Sequence, residues 1–235
     1  MGKQKAKRRQ RNRTLSFLLG AMILLLLIGL IVALGVPVSS DSLVAAKPTR
    51  RAISPRDGIC DPTTMQTMID TYAEAEIPLI FTCSEDIELL TGLNIRGDVT
   101  IIGQPESENA SLVTIDGKQY AERLFYLEKD ASLTLISLHI TNSRRFGIYL
   151  TPGSILTTDH VTISDIASDA ESGYPIYNEG GSVIMNSSRI RTYGVAMVNF
   201  GDVWFSDDMF NQIGGCIASD PTSTVTAFFY ICEIP

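Results

Sequence analysis

Histidine, tryptophan and cysteine are scarce in this chain: two His, one Trp and four Cys stand among its 235 residues. Two imidazoles, His139 and His160, and four dispersed thiols do not fit the ligand sets of zinc sites. No phosphate-cradling Gly loop or Ser-His-Asp set is spelled out either, so no metal and no cofactor is expected. Cations are scarce over most of the length. Residues 57–235 hold 8 Lys plus Arg against 25 Asp plus Glu, a balance of −17. Phosphate contacts come chiefly from basic side chains, so this composition argues against a nucleic-acid partner.

Two further absences organise the amino-terminal part. Residues 1–13 contain no acid but seven cations, Lys3, Lys5, Lys7, Arg8, Arg9, Arg11 and Arg13. Leu15 to Val36 contains no charge at all over 22 residues. At about 1.5 Å per residue such a helix crosses a hydrocarbon core of about 30 Å. The cation bias places the amino terminus in the cytoplasm and everything after Pro37 outside. The expected organisation is a basic cytoplasmic tail (1–14), a single-pass transmembrane signal-anchor (15–36), a flexible linker (37–57) and an extracytoplasmic domain (58–235). Cleavage as a signal peptide near Ala33 and Gly35 is the alternative; the apolar run exceeds the usual length of such peptides.

What the domain does have is a repeat. LTLISLHITN from Leu133, LTTDHVTISD from Leu156, VIMNSSRIRT from Val183, VWFSDDMFNQ from Val203 and VTAFFYICEI from Val225 share one pattern, with starts 23, 27, 20 and 22 residues apart. Apolar residues tend to fill the first, third, sixth and eighth places, which predicts two short strands meeting at a two-residue bend. A second echo follows each copy: Ile148-Tyr149-Leu150, Ile176-Tyr177-Asn178, Met197-Val198-Asn199 and Ile217-Ala218-Ser219. Three short strands per repeat match the coils of a β-solenoid. A β-sandwich would join its strands through tight hairpins and does not account for the recurrence of like positions once per coil.

The register predicts faces. Asn178 and Asn199 fall on the same inward position of neighbouring coils, as stacked amides or as separate turn residues. Asp208 occupies the place of Leu138 and Val161, which requires an outward bulge or a partner for a buried carboxylate. Upstream, DVTIIG from Asp98 and LVTIDG from Leu112 read as opening coils. Met65, Met68, Ile69 and Tyr72 lie at helical spacing, as a helix capping the first coil would require.

The order of Cys60, a short helix, IPLIFTC ending at Cys83, IELLTGLNI, DVTIIG, LVTIDG and RLFYLEKDASLTLISLHITN resembles the right-handed parallel β-helix, pectin-lyase-like surface proteins of bacteria. The resemblance covers about residues 58 to 230 and implies an all-β fold. It leaves activity open, because such helices host lyases, hydrolases, adhesins and inert stalks. In an exported chain, four cysteines favour disulfides. Cys60 and Cys83 bracket the cap and form the expected bridge; Cys216 and Cys232 are either a second pair or small buried side chains.

Candidate site residues divide into two sets. Tyr149 and Tyr177 hold matching outward places, with Phe146, Tyr174 and Tyr193 nearby in sequence, and make a platform for sugar rings or a packed aromatic pair. Arg189 and Arg191 alternate outward on one strand, flanked by Thr162, Ser164, Met209 and Asn211, and Arg189 joins the tyrosines as a candidate ligand contact. Arg189, Arg191, Asp207 and Asp208 are the only candidates for catalysis. Asp207-Asp208 is similar to the paired Asp of polygalacturonase-like hydrolases, but the Gly-His-Gly and Arg-x-Lys motifs of that family are missing, and consecutive strand residues face opposite sides. The expectation is a membrane-anchored, non-enzymatic module that binds polysaccharide or a surface protein. A small polysaccharide lyase or glycoside hydrolase, and a passive spacer or fragment of a longer adhesin, are the alternatives.

Overall fold

The computed structural model describes residues 60–104, 111–167, 173–192, 194–212, 215–219 and 221–233, with side chains at all of these except 208–216 and 227–233. The expected tail, membrane span and linker lie outside the described residues, as do Tyr193 and the side chains of Asp208, Cys216 and Cys232. No helix among the described residues is long and apolar enough to cross a membrane.

The described chain opens with one helix, α1 (Pro62–Ala73). Asp61 caps it: its carboxylate accepts from the Thr64 N–H and hydroxyl, both at 2.9 Å, and Pro62 occupies a first-turn position that needs no donor. Those two bonds hold the Asp61 carboxyl below its ordinary range. Met65 and Ile69 are buried, while Met68 and Tyr72 pack partly buried beside them. This is the predicted capping face. A disulfide joins Cys60 to Cys83 at a Cα separation of 5.6 Å, within the usual range for a bridge. Cross-linking a loop of that size stabilises the fold by about 3 kcal/mol on the chain-entropy account.

Beyond the cap the chain winds as a parallel β-solenoid with three faces. Face one stacks β1 (Leu79–Cys83), β4 (Asp98–Gly103), β7 (Ser132–Ile136), β10 (Ile155–Asp159), β13 (Ser182–Asn186) and the first half of β16 (Asp202–Gln212), followed by β18 (Thr224–Glu233). Face two stacks β2 (Ile87–Glu88), β5 (Val113–Asp116), β8 (Leu138–Thr141), β11 (Thr162–Ser164), β14 (Arg189–Thr192) and the second half of β16. Face three is a six-stranded sheet of β3 (Leu93–Ile95), β6 (Arg123–Leu127), β9 (Phe146–Leu150), β12 (Tyr174–Asn178), β15 (Val195–Asn199) and β17 (Gly215–Ser219).

The register is the one the repeat predicts. Leu133 pairs with Leu156, Leu156 with Val183, Val183 with Val203 and Val203 with Val225. Ile148, Ile176, Met197 and Ile217 align in the same way on face three. The hairpins of a sandwich do not occur among the described pairings. Two readings change in detail. DVTIIG and LVTIDG are two faces of a single coil, β4 and β5, and the coil before them is β1, β2 and β3. The bend between faces one and two also varies, with one residue between β7 and β8 and two between β10 and β11 and between β13 and β14. In four successive coils it turns on one left-handed residue: Ser137 (φ 54°), His160 (54°), Ser187 (46°) and Asp207 (56°). A left-handed non-glycine residue costs about 1–2 kcal/mol. The ladder carries through the corner nonetheless: the N–H of Ser137 donates to the Asp159 carbonyl, His160 to Asn186 and Ser187 to Ser206, at 3.0, 3.1 and 2.8 Å.

The inward strand columns of faces one and two hold no polar side chain until Thr158 and Ser188 introduce hydroxyls. Their oxygens lie 3.0 Å apart, and Ser188 Oγ also donates to the Asn186 carbonyl and accepts from the Val161 N–H. Ser188 holds the place of Val161 one coil on, because Arg189 pairs with Thr162. The polar interruption that Asp208 announced therefore begins one coil earlier.

A second polar element lies at the end of face three, where Asn178 and Asn199 are fully buried. Asn178 Nδ2 donates to Asn199 Oδ1 at 2.7 Å and to the Gly181 carbonyl at 3.0 Å, and its Oδ1 accepts from the N–H of Gly181 at 2.7 Å. Asn199 serves Gly201 likewise, donating to its carbonyl and accepting from its N–H. Gly201 has to be glycine: a Cβ there would sit 2.0 Å from the Gly181 carbonyl. Leu150 occupies the Asn178 place one coil earlier, so leucine fits the space. Asn178→Leu strips partners from Gly181 and Asn199 and is expected to destabilise the fold by about 2–3 kcal/mol, measured as a lower urea midpoint at unchanged slope.

Candidate binding face

Face three carries the densest set of outward aromatic side chains among the described residues. Its strands bury their second, third and fifth places, which leaves the first and fourth outward. The fourth places align Tyr126 with Tyr149 and Tyr149 with Tyr177; the first places align Arg123 with Phe146 and Phe146 with Tyr174. Parallel stacking at about 4.8 Å per strand thus brings six-membered rings into contact along the axis.

Tyr149 and Tyr177 stack with ring centres 5.0 Å apart and planes at 22°, and Tyr126 follows at 5.5 Å. Phe146 touches Tyr149 edge-on at 5.4 Å and lies 5.4 Å from Tyr177 and 6.3 Å from Tyr174. Phe200 extends the row 6.0 Å beyond Tyr177 and is 46% exposed. Two guanidiniums join this band: Arg123 lies 4.0 Å above the Tyr126 ring, and Arg145 lies 4.8 Å above Phe146. Such ring pairs contribute about 0.5–1.5 kcal/mol each, and an exposed cation over a ring about 0.5–1 kcal/mol. The ladder therefore does structural work before any ligand arrives. Tyr149 and Tyr177 turn much of their faces to one another, so the accessible surface of the band is ring edges, hydroxyls, the exposed Arg123 and Arg145 head groups and the ring of Phe200.

Tyr126, Phe200, Arg123 and Glu179 were not among the residues singled out from sequence. Tyr126 had a signal, since Phe125-Tyr126-Leu127 precedes Ile148-Tyr149-Leu150 by 23 residues. Glu179 anchors the row, accepting from the Tyr149 hydroxyl at 2.9 Å. Burial, reinforced by that bond to a carboxylate, pushes the Tyr149 phenol up to about 12.

Face two holds the other candidates. Arg189 and Arg191 are both exposed on either side of buried Ile190, aligned with Thr162 and Ser164, as expected. They stand on a different face from Tyr149 and Tyr177, so the structure does not gather Arg189 with the tyrosines. Asp207 is the exposed corner residue of the next coil. One polar cluster on this face had no counterpart in the sequence reading. His139 Nε2 lies 2.8 Å from Ser164 Oγ, which donates to Asp165 Oδ2 at 2.8 Å. The serine proton is committed to the carboxylate, so the imidazole donates Nε2–H to the serine; a nucleophile–base pair needs the opposite polarity. Nearby, Asp116 is held below its ordinary range: burial opposes this, but the Lys118 N–H and ammonium and the Asn142 amide outweigh it. No cluster of three or more metal-binding side chains occurs among the described residues.

Two titrations follow. The Tyr149 phenol should ionise near pH 12 by ultraviolet difference absorbance, and Glu179→Gln should move it part of the way back to the ordinary value near 10. Burial lowers His139, against the pull of Asp165, Asp86 and Asp116 and with the push of Arg191. The folded state thus holds the neutral ring more firmly than the unfolded chain does, and stability is lost as pH falls below about 6.5. His139→Gln should flatten that fall in melting temperature between neutral and mildly acidic pH.

Comparison with known proteins returns no match: no family model, no curated protein and no solved structure resembles this chain closely enough to be counted.

Proposed function

We propose that this chain is a membrane-anchored, extracytoplasmic β-helix that binds polysaccharide or a surface protein through face three without acting on it chemically. The observation that carries this reading is the aromatic and arginine band itself. A domain with a balance of −17 gathers two of its few cations against a continuous row of rings on one flat face. Aromatic rings and arginine are the side chains that dominate recognition surfaces, and Phe200 offers an open face for stacking. The likeness to pectin-lyase-like surface proteins and the charge-free run of residues 15–36 support the placement outside a cell membrane. Handedness follows the same likeness.

The test is binding of the full chain, in detergent, to a glycan array and to a panel of envelope polymers and proteins. Arg123→Ala and Phe200→Ala should each weaken binding about tenfold, since each removes about 1–2 kcal/mol of contact at an interface. Absence of any binding would favour the passive spacer. Release of unsaturated or reducing sugar ends from the polymers, lost in Arg189→Ala or Asp207→Ala, would show an enzyme and overturn the non-enzymatic reading.

A further inference from the structure

Face two carries a pair of cations that no carboxylate among the described side chains answers. Its outward positions form two columns along the axis, Thr114, His139, Thr162, Arg189 and Asp116, Thr141, Ser164, Arg191, each residue paired with the next. Toward the cap the charges are matched: the Lys118 ammonium lies 3.2 Å from Glu88 and 3.0 Å from Asp116. Further along they are not. Arg189 and Arg191 are exposed on one strand, about 6.6 Å apart at the rise of a parallel strand. Neither guanidinium has a hydrogen bond or an ion pair among the described residues, although Asp165 and Asp207 stand on the coils to either side. Asp165 is committed instead to the Ser164 hydroxyl at 2.8 Å. Of the eight cations in residues 57–235, Arg96, Lys118 and Arg144 lie against carboxylates, Arg123 and Arg145 lie over rings, and Lys129 occupies a turn. In a domain with a surplus of acids, two like charges side by side without a partner mark a place where the counter-charge comes from outside.

We propose that Arg189 and Arg191, with the Thr162 hydroxyl beside them, form a subsite for the anionic groups of an acidic polysaccharide lying along face two, the carboxylate of a uronate or the sulfate of a sulfated sugar. A guanidinium presents a rigid fork of donors that meets such an oxyanion two oxygens at a time. The balance of −17 does not oppose this, because charges further off than about 8 Å are screened at physiological salt and a ligand meets the local field. The neighbouring ground selects a sugar polymer. From Thr114 to Arg189 and from Asp116 to Arg191 every outward residue is polar, which suits a hydroxyl-rich chain and gives the apolar side chains of a peptide nothing to pack on. Ser164 is already held by His139 and Asp165, so Thr162, whose hydroxyl has no partner among the described residues, is the one left to a ligand. This subsite borrows from the preceding reading only the extracytoplasmic setting and stands apart from the aromatic band of face three.

Arginine labelling of the full chain in detergent, read residue by residue by peptide mass spectrometry, tests this without interference from the basic residues 1–13. Phenylglyoxal should modify Arg189 and Arg191. Oligogalacturonate or dextran sulfate, at about ten times its dissociation constant, should slow that modification about tenfold. Arg144, whose side chain is 67% exposed, should be unaffected, and neutral dextran should protect none of the three. The two charged polymers, used separately, tell carboxylate from sulfate. Arg191→Gln should weaken the protection of Arg189 about tenfold, as loss of one charge-assisted contact does, while Lys129→Gln leaves it unchanged. Should Arg191→Gln melt early by circular dichroism, Arg191→Lys, which keeps the charge without the fork, takes its place with the same expectation. Absence of protection by both charged polymers overturns the proposal, as does equal slowing at Arg144, equal protection by dextran, or protection of Arg189 that the Arg191 variant leaves intact. Protection by polyglutamate as strong as by the glycans overturns the assignment to polysaccharide. Protection that disappears in Phe200→Ala belongs to face three and overturns a separate site, whereas loss of glycan-array binding in Phe200→Ala with this protection intact bears on face three alone.

Discussion

A coil of some twenty residues cannot bury its own apolar edge, so each turn of this molecule is stable only in register with the next. That constraint sets the hydrogen bonding and the side-chain chemistry together. Strand N–H and carbonyl groups pair along the axis, through the left-handed corners at Ser137, His160 and Ser187 as well as along the faces. Every inward side chain then meets its counterpart one coil away, which is why the inner columns hold like with like: Leu133 on Leu156, Ile163 on Ile190, Asn178 on Asn199. In two places inward polar residues answer one another across coils, Thr158 with Ser188 and Asn178 with Asn199.

The outward side chains inherit the same alignment without the same demand. On face three the alignment turns three tyrosines into a stack and lays Phe146 across it; on face one it sets threonine on threonine in a column. The difference between the two outer surfaces is thus a difference in which residues recur, because parallel pairing underlies both. Arg123 and Arg145 matter on this account less for their number than for where they lie, over rings rather than beside carboxylates alone.

Much of this could be read in the sequence because a solenoid converts spacing into contact directly. The pairings of Leu133, Leu156, Val183 and Val203, the outward Arg189 and Arg191, the matched Tyr149 and Tyr177 and the capping role of Met65 and Ile69 all follow from periodicity. Corners and insertions hid the rest. The stretch between Gly103 and Val113 makes one coil look like two, and the echo of Tyr126 goes unnoticed when the repeat is traced only from Leu133 onward. The angle at which faces meet has no signature in spacing, so the repeat assigns Arg189 and the tyrosines to different strands without saying how those strands are turned from one another. Nor did it join His139 to Ser164, because that contact depends on a side chain reaching across to the next coil.

Under the proposed amino-terminal anchoring, the bridge between Cys60 and Cys83 takes on a mechanical meaning. A pull arriving from that direction reaches Cys60 before it reaches the helix, and the covalent link passes it on to β1, whose neighbours share the strain through a whole row of bonds at once. Helix α1 is thereby shielded from tension while the link is intact. Reduction would redirect the same pull through the single-turn cap at Asp61, and the molecule would then begin to unravel at its lid instead of yielding as a rod.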